Sequence, residues 1–238
     1  MYVLIELVLL DDFLPLKLFR IAQEIMARST KEEALETRCR ILDAAEDVFH
    51  SSGVTRTSLA DVALAANVTR GAIYWHFKNK ADLFNAMCER VRLPMEAMVE
   101  QSDQDSNENA LENLRSVCLF AIGEIVHNPH TRKVFDIMFH KCEFVDSTDP
   151  IWIRQQQSFR NGTHNIERLL TAARNAGQLP ENLDIHLGAV NLHALIDGLI
   201  NNWLFAPGSF DLGAQAEALI NACFDTLRYA PSLRYSTA

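Results

Sequence analysis

An all-α fold, with a helix-turn-helix unit near the N-terminus and a larger helical unit after it, is what this sequence predicts. Three observations predict it. Glycine and proline are scarce, 9 and 7 in 238 residues, so few positions break a helix. Apolar residues recur at helical spacing along most of the chain, and no run alternates in the manner of a half-buried strand. Between Leu59 and Phe77 two short helical segments, each opened by a capping residue, meet at a tight turn. A hydrophobic content of 48% against 22% charged residues excludes a disordered or fibrous chain.

From Lys31 to His50 the residues Ile41, Leu42, Ala45, Val48 and Phe49 share one helical face, and Gly53 follows as a glycine past a helix end does. Ser58, with Asp61 three residues on, reads as a capping box ahead of Leu59, Val62, Ala63 and Ala66. Asn67 tolerates left-handed backbone, and Thr69 caps the next helix, Arg70 to Phe77. Asn79 and Asp82 open a fourth helix that runs through Leu83, Phe84, Met87 and Val91 toward Pro94 and Glu100. The polar stretch Gln101–Asn109 reads as a flexible connection.

Helical spacing resumes at Leu111, Leu114, Cys118, Ala121, Ile122 and Ile125, breaks at Asn128-Pro129, and returns with Val134, Phe135, Met138 and Phe139. A long helix from Pro150 stops at Gly177, and another from Asp184 to Phe205 is apolar on nearly all sides, so one core face does not account for it. The last helix runs from Leu212 to Tyr229. The start of the chain is apolar but lacks a basic first segment, and Glu6, Asp11 and Asp12 interrupt it, so it reads neither as a signal peptide nor as a membrane span. Residues 1–27 are therefore expected to be a leader, either upstream of a natural start at Met26 or disordered, with an extra helix as the alternative.

The net charge of −9 argues against a nucleic-acid binder, yet it is unevenly spread. Residues 28–92 carry ten Lys+Arg against nine Asp+Glu, whereas residues 93–238 carry ten against eighteen. The five cysteines are odd in number, widely spaced and without a C-x-x-C pair, which fits reduced thiols in a cytoplasm and offers no zinc site. No cofactor is expected, and no acid–base pair or nucleophile elbow points to an enzyme. His140 and Cys142, two apart on a helix, point to different sides and make no catalytic pair.

The second of the two short helices carries what DNA docking needs. Thr69 caps it and offers a hydroxyl to phosphate, and its free N–H groups favour an anion. Arg70 stands at the end that meets base edges in the major groove and suits bidentate reading of guanine. Gly71 costs about 1 kcal/mol relative to alanine inside a helix, which makes sense where backbone and phosphate approach closely. Tyr74, His76 and Lys80 supply phosphate donors, and Thr57 and Ser58, before the first of the pair, are expected among the DNA-binding residues. Trp75 either reaches a thymine methyl or sugar or packs against the first helix, and Ile73 and Phe77 belong to the core.

These residues, from Thr57-Ser58-Leu59-Ala60-Asp61 through Arg70-Gly71-Ala72-Ile73-Tyr74-Trp75-His76-Phe77, resemble the DNA-binding domain of the TetR family. With Thr30-Lys31-Glu32-Glu33 the match resembles the AcrR-like multidrug-efflux repressor branch. It continues more weakly through His140-Lys141-Cys142-Glu143-Phe144 and Asp197-Gly198-Leu199-Ile200. Asn67 departs from the glycine of many relatives, without harm to the turn.

The resemblance implies a TetR-like division. Residues 28–78 form a three-helix DNA-binding domain, 79–100 a connecting helix, and 101–238 a helical effector-binding and dimerisation domain. It implies a homodimer on palindromic operator DNA, with no membrane partner, released by a small amphiphilic or aromatic effector. The effector-lining residues it points to are Val117, Cys118, Ala121, Phe135, Phe139, His164, His193, Ile196, Asp197 and Asn202, each of which is equally open to plain core packing. Asp197 stands out, because a carboxylate in so apolar a helix must be paired, capped or used. The alternatives are control of a metabolic or stress operon, and a helical ligand-binding protein whose helix-turn-helix is only a structural corner.

Overall fold

The structure, a computed structural model, describes the backbone of residues 14–104, 109–143 and 148–235 and the side chains of residues 31–99, 109–143 and 148–235. Among the described residues there are nine α-helices and no strand beyond one bridge between Leu183 and Arg234. No helix among them is long and apolar enough to cross a membrane. Residues 1–13 of the leader and 105–108 of the expected connection lie outside the described residues.

Helix α1 (Leu14–Ser52) begins well before Lys31, so residues 14–27 continue its backbone as helix rather than coil. Gly53, at φ +81°, ends it. Helix α2 (Leu59–Ala65) opens with the expected capping box: Asp61 N–H donates to the Ser58 hydroxyl, and Ser58 N–H to the Asp61 carboxylate at 2.8 Å. That bonding holds the Asp61 carboxyl below its ordinary range. The turn to α3 (Arg70–His76) is a Schellman motif built on Asn67, whose φ of +54° puts it in the left-handed region. Val68 N–H donates to Ala63 C=O at 3.0 Å and Asn67 N–H to Leu64 C=O at 3.1 Å, which satisfies two of the carbonyls that the end of α2 leaves open. Thr69 then caps α3 through Ala72 N–H.

Helix α4 (Lys80–Gln104) starts on Asn79, which accepts from Asp82 N–H at 2.8 Å, and runs past Pro94 into the stretch expected as a loop. Pro94 has no N–H for the carbonyl of Arg90, so the helix loses one rung there without stopping. Helices α5 (Ala110–His127) and α6 (Pro129–His140) break at Asn128-Pro129 as expected, with Asn128 accepting from the His130 and Thr131 N–H groups. Helices α7 (Pro150–Asn175), α8 (Ile185–Phe205) and α9 (Leu212–Tyr229) follow, capped by Asp149, Asp184 and Asp211.

Two apolar cores result. The first joins α1, α2, α3 and the start of α4 around Phe49, Ile73, Phe77, Leu83 and Phe84, and it also takes in Val134 and Ile137 of α6 and Ile151 of α7. The second joins α5, α7, α8 and α9 around Leu114, Ile122, Leu170, Leu192, Ile220 and Phe224. Helix α6 thus belongs to the packing of the N-terminal unit although it follows the connecting helix in sequence. Complete burial of side chains such as Phe49 and Phe84 is worth about 1.5–3 kcal/mol each, which is what fixes the short helices α2 and α3 in place.

Candidate functional site

Helix α3 turns Ile73 and Phe77 fully into the first core and leaves its other face to solvent. Tyr74 is 52% and Trp75 74% exposed, so Trp75 does not pack against α1. Its ring instead stands edge-on to His76 at 4.5 Å. Arg70 is exposed and makes no ion pair among the described residues. A Cβ on Gly71 would meet nothing nearer than the Thr69 hydroxyl at 3.8 Å, so nothing inside the protein demands glycine there. Burial and the Arg38 guanidinium push the His76 imidazole below its usual pKa and favour its neutral form, while Arg38 itself lies 5.1 Å above the Phe77 ring.

Two residues expected on this face are turned to other work. Thr57 is buried, and its hydroxyl donates to Gly53 C=O at 2.8 Å, which braces the link between α1 and α2. A buried hydroxyl that is already satisfied offers nothing to a phosphate. Lys80 donates its ammonium to Val54 C=O at 2.7 Å and Thr55 C=O at 3.0 Å, so two of its three donors hold the same link. Ser58, Thr69, Arg70, Gly71, Tyr74 and Trp75 are all exposed, and His76 is half-buried.

Behind this unit lies a cavity of about 900 Å³, a volume suited to a drug-sized molecule. Its apolar wall is Leu114, Val117, Cys118, Ala121 and Ile125 of α5, Phe135, Met138 and Phe139 of α6, and Ile196 and Ile200 of α8. His193 and Asp197 of α8 also line it. Of the ten residues the sequence pointed to, His164 and Asn202 are not on the cavity. Both are exposed, and His164 sits 3.5 Å from Glu167 on the outer side of α7. Asn165 and Ile166 line the cavity in place of His164, one and two positions along the helix.

The side of the cavity that sequence reasoning missed is the connecting helix itself. Cys88, Glu89, Arg92, Met95, Glu96 and Val99 of α4 all face in, and their partners across the cavity come from α7. Arg92 pairs with Glu96, and Glu89 accepts from Arg154 of α7 at 2.9 Å, so these charges largely neutralise one another. The signal was present: apolar and charged residues of α4 occupy a second face beyond the one Leu83, Phe84 and Met87 bury.

At the other end, Phe159 stacks on His193 at 4.6 Å, and Gly162 makes room for that ring, since a Cβ there would come within 3.1 Å of it. The Thr163 hydroxyl donates to Phe159 C=O and so accepts from His193 Nδ1 at 2.8 Å, which leaves Nε2 directed at Asp197, 3.7 Å away. Burial pushes the Asp197 carboxyl upward and His193 draws it partly back. The result is a polar pair on α8, separate from the charged residues that α4 turns into the chamber. Burial also raises the Cys118 thiol to about 12 and the Cys142 thiol to about 12, so neither is a thiolate near neutral pH. Asp43, Glu46 and His130 bring possible metal-binding atoms within 4.8 Å of one another, but the Arg90 guanidinium, 2.6 Å from Asp43 and 3.4 Å from Glu46, already supplies the positive charge.

A capped recognition helix on one side and a ligand-sized chamber on the other, with α4 and α6 common to both, define a one-component regulator that binds DNA and senses a small molecule. Comparison with known proteins supports that class. Residues 41–87 match the family model of bacterial regulatory proteins of the tetR family, and residues 109–229 that of the C-terminal region of MAATS-type transcriptional repressors. The chain is 41% identical over 209 residues to the HTH-type transcriptional regulator TtgR of Pseudomonas putida, across 88% of this chain and 100% of TtgR. Among solved structures it is similar to NalD, the secondary repressor of the MexAB-OprM multidrug efflux pump in Pseudomonas aeruginosa. There the TM-score is 0.74 and the identity 36%, with 84% of this chain and 99% of NalD covered. The complex of SmeT with triclosan, SmeT being the repressor of the Stenotrophomonas maltophilia pump SmeDEF, gives a TM-score of 0.74 at 32% identity, with 85% and 96% covered. The chain belongs to the TetR family of bacterial transcriptional regulators.

Proposed function

We propose that this chain is a homodimeric repressor of a multidrug efflux operon, bound to a palindromic operator through α3 and released when an amphiphilic molecule fills the cavity. The observation that carries the reading is the sharing of α4 and α6 between the first core and the cavity wall, because a ligand large enough to fill the chamber acts on both helices. Arg70 reads base edges, Thr69, Tyr74 and Ser58 hold phosphates, and the Gly71 backbone lies close to the duplex. Trp75 offers an apolar face to sugar or thymine methyl. In the cavity, Phe135, Phe139 and the Phe159/His193 stack receive aromatic rings, and Asp197 with His193 meets a hydroxyl or amine.

The relatives that repress efflux pumps, and the relative that binds triclosan, support this assignment. The test is an anisotropy titration of the full chain on DNA from upstream of its own gene, with triclosan, ethidium and chloramphenicol as a halogenated phenol, an aromatic cation and a neutral nitroaromatic. Salt-sensitive binding that at least one compound relieves is the expected result. Binding that none of the three disturbs contradicts the ligand-released reading.

A further inference from the structure

Helix α6 has three faces. Phe135, Met138 and Phe139 line the cavity, Val134 and Ile137 are fully buried in the first core, and the remaining face is laid along α1. On that face Lys133 pairs with Asp47, and His130 Nδ1 lies 2.9 Å from the buried carboxylate of Glu46. Asp136 takes two imidazoles: His140 Nδ1 at 2.7 Å on one oxygen and His50 Nε2 at 3.0 Å on the other. An ionised carboxylate only accepts, so both nitrogens carry the proton and donate. Nε2 of His140 is buried beside the Phe205 ring with no partner, so the Nδ1 bond to Asp136 is the one side-chain hydrogen bond of that imidazole among the described residues. Just past the end of α6, Lys141 C=O accepts Val54 N–H at 3.0 Å.

The same Val54, with Thr55, receives the ammonium of Lys80, the first residue of α4. The link between α1 and α2 is therefore held from two sides, by the end of α6 and by the start of α4, and both helices line the cavity. If a ligand displaces α6 relative to α4, the link cannot follow both. Resting on the ligand-released reading above, we propose that Asp136 is the positioning residue of a clasp that carries displacement of α6 to the Val54–Thr55 link. From there it reaches the Ser58 cap of α2, so the cavity is felt by the helix-turn-helix through α6 and α1 as well as through α4.

The experiment measures three quantities on the full chain: operator Kd without compound, compound Kd, and the ratio of operator Kd with saturating compound to that without, using triclosan, ethidium and chloramphenicol. Asp136→Asn, which keeps the shape but offers one acceptor where two are used, is expected to leave both single affinities within about threefold of wild type and to lower the ratio at least fivefold. His50→Leu, at a half-exposed position that tolerates change, should do the same, and His50→Gln, which restores an N–H donor, should recover the wild-type ratio. A merely structural role would lower the melting temperature and operator affinity together and leave the ratio alone. Wild-type ratios preserved in both Asp136→Asn and His50→Leu overturn the clasp. A wild-type ratio of one with every compound removes the ligand-released reading itself, and the clasp with it.

Discussion

The recognition unit and the cavity are built by different kinds of interaction: local side-chain caps set where the short helices of the first begin, whereas only the packing of several helices sets which residues line the second. In the first unit the starts of α2, α3 and α4 are each set by a side chain within three residues: Ser58 with Asp61, Thr69 with Ala72, Asn79 with Asp82. At the turn Asn67 takes the left-handed backbone that reverses the chain. The cavity has no such local rule. Its wall is assembled from five helices, and whether a residue faces it depends on how each amphipathic helix is rotated against two neighbours at once.

Substitutions that act on one region and spare the other sharpen this contrast, beginning with the largest. Phe49→Ala, at a fully buried site in the first core, should destabilise by about 3–5 kcal/mol, measured by urea unfolding, and should abolish DNA binding through loss of the fold. Arg70→Ala should cost about 1–3 kcal/mol in operator binding while leaving melting temperature and compound affinity unchanged. A parallel loss of compound affinity would break the separation of the two regions. Ala121→Phe, which places a ring in the cavity, should raise the compound concentration for half release more than tenfold and leave unliganded operator binding intact.

Smaller effects test the local rules. Ser58→Ala should lower stability by about 1 kcal/mol through loss of the capping box. Gly71→Ala should leave stability equal or slightly higher, since the new methyl meets nothing nearer than the Thr69 hydroxyl at 3.8 Å, and should weaken DNA binding where the backbone approaches phosphate. Smallest is a chemical contrast at pH 8. Exposed Cys39 should react with iodoacetamide, whereas Cys118, buried and with its thiol pushed up to about 12, should stay unmodified until the chain unfolds.

The residues that sequence reading misplaced share a physical cause. Thr57 and Lys80 have the chemistry of phosphate donors, but their polar atoms are spent on the carbonyls of Gly53, Val54 and Thr55, which lie on another part of the chain and leave no trace in local pattern. His164 sits on a helix that does line the cavity, yet the cavity register falls on Gly162, Asn165 and Ile166. Asn202 lies on the exposed side of α8. Helix α4 was legible as a connector from its first core face, and its second face, with Cys88, Arg92 and Met95, gains meaning only once α7 is placed opposite. By contrast Asp197, singled out as a carboxylate in an apolar helix that must be paired, capped or used, lines the chamber beside His193.

The central claim is that cavity and recognition helix are energetically coupled, and coupling between two binding sites is reciprocal. The direct measurement is calorimetric titration of the releasing compound into the free chain and into the chain saturated with operator DNA. The account predicts weaker compound binding to the DNA-bound chain, by the same factor with which the compound weakens operator binding. Equal compound affinity for the two forms would contradict it.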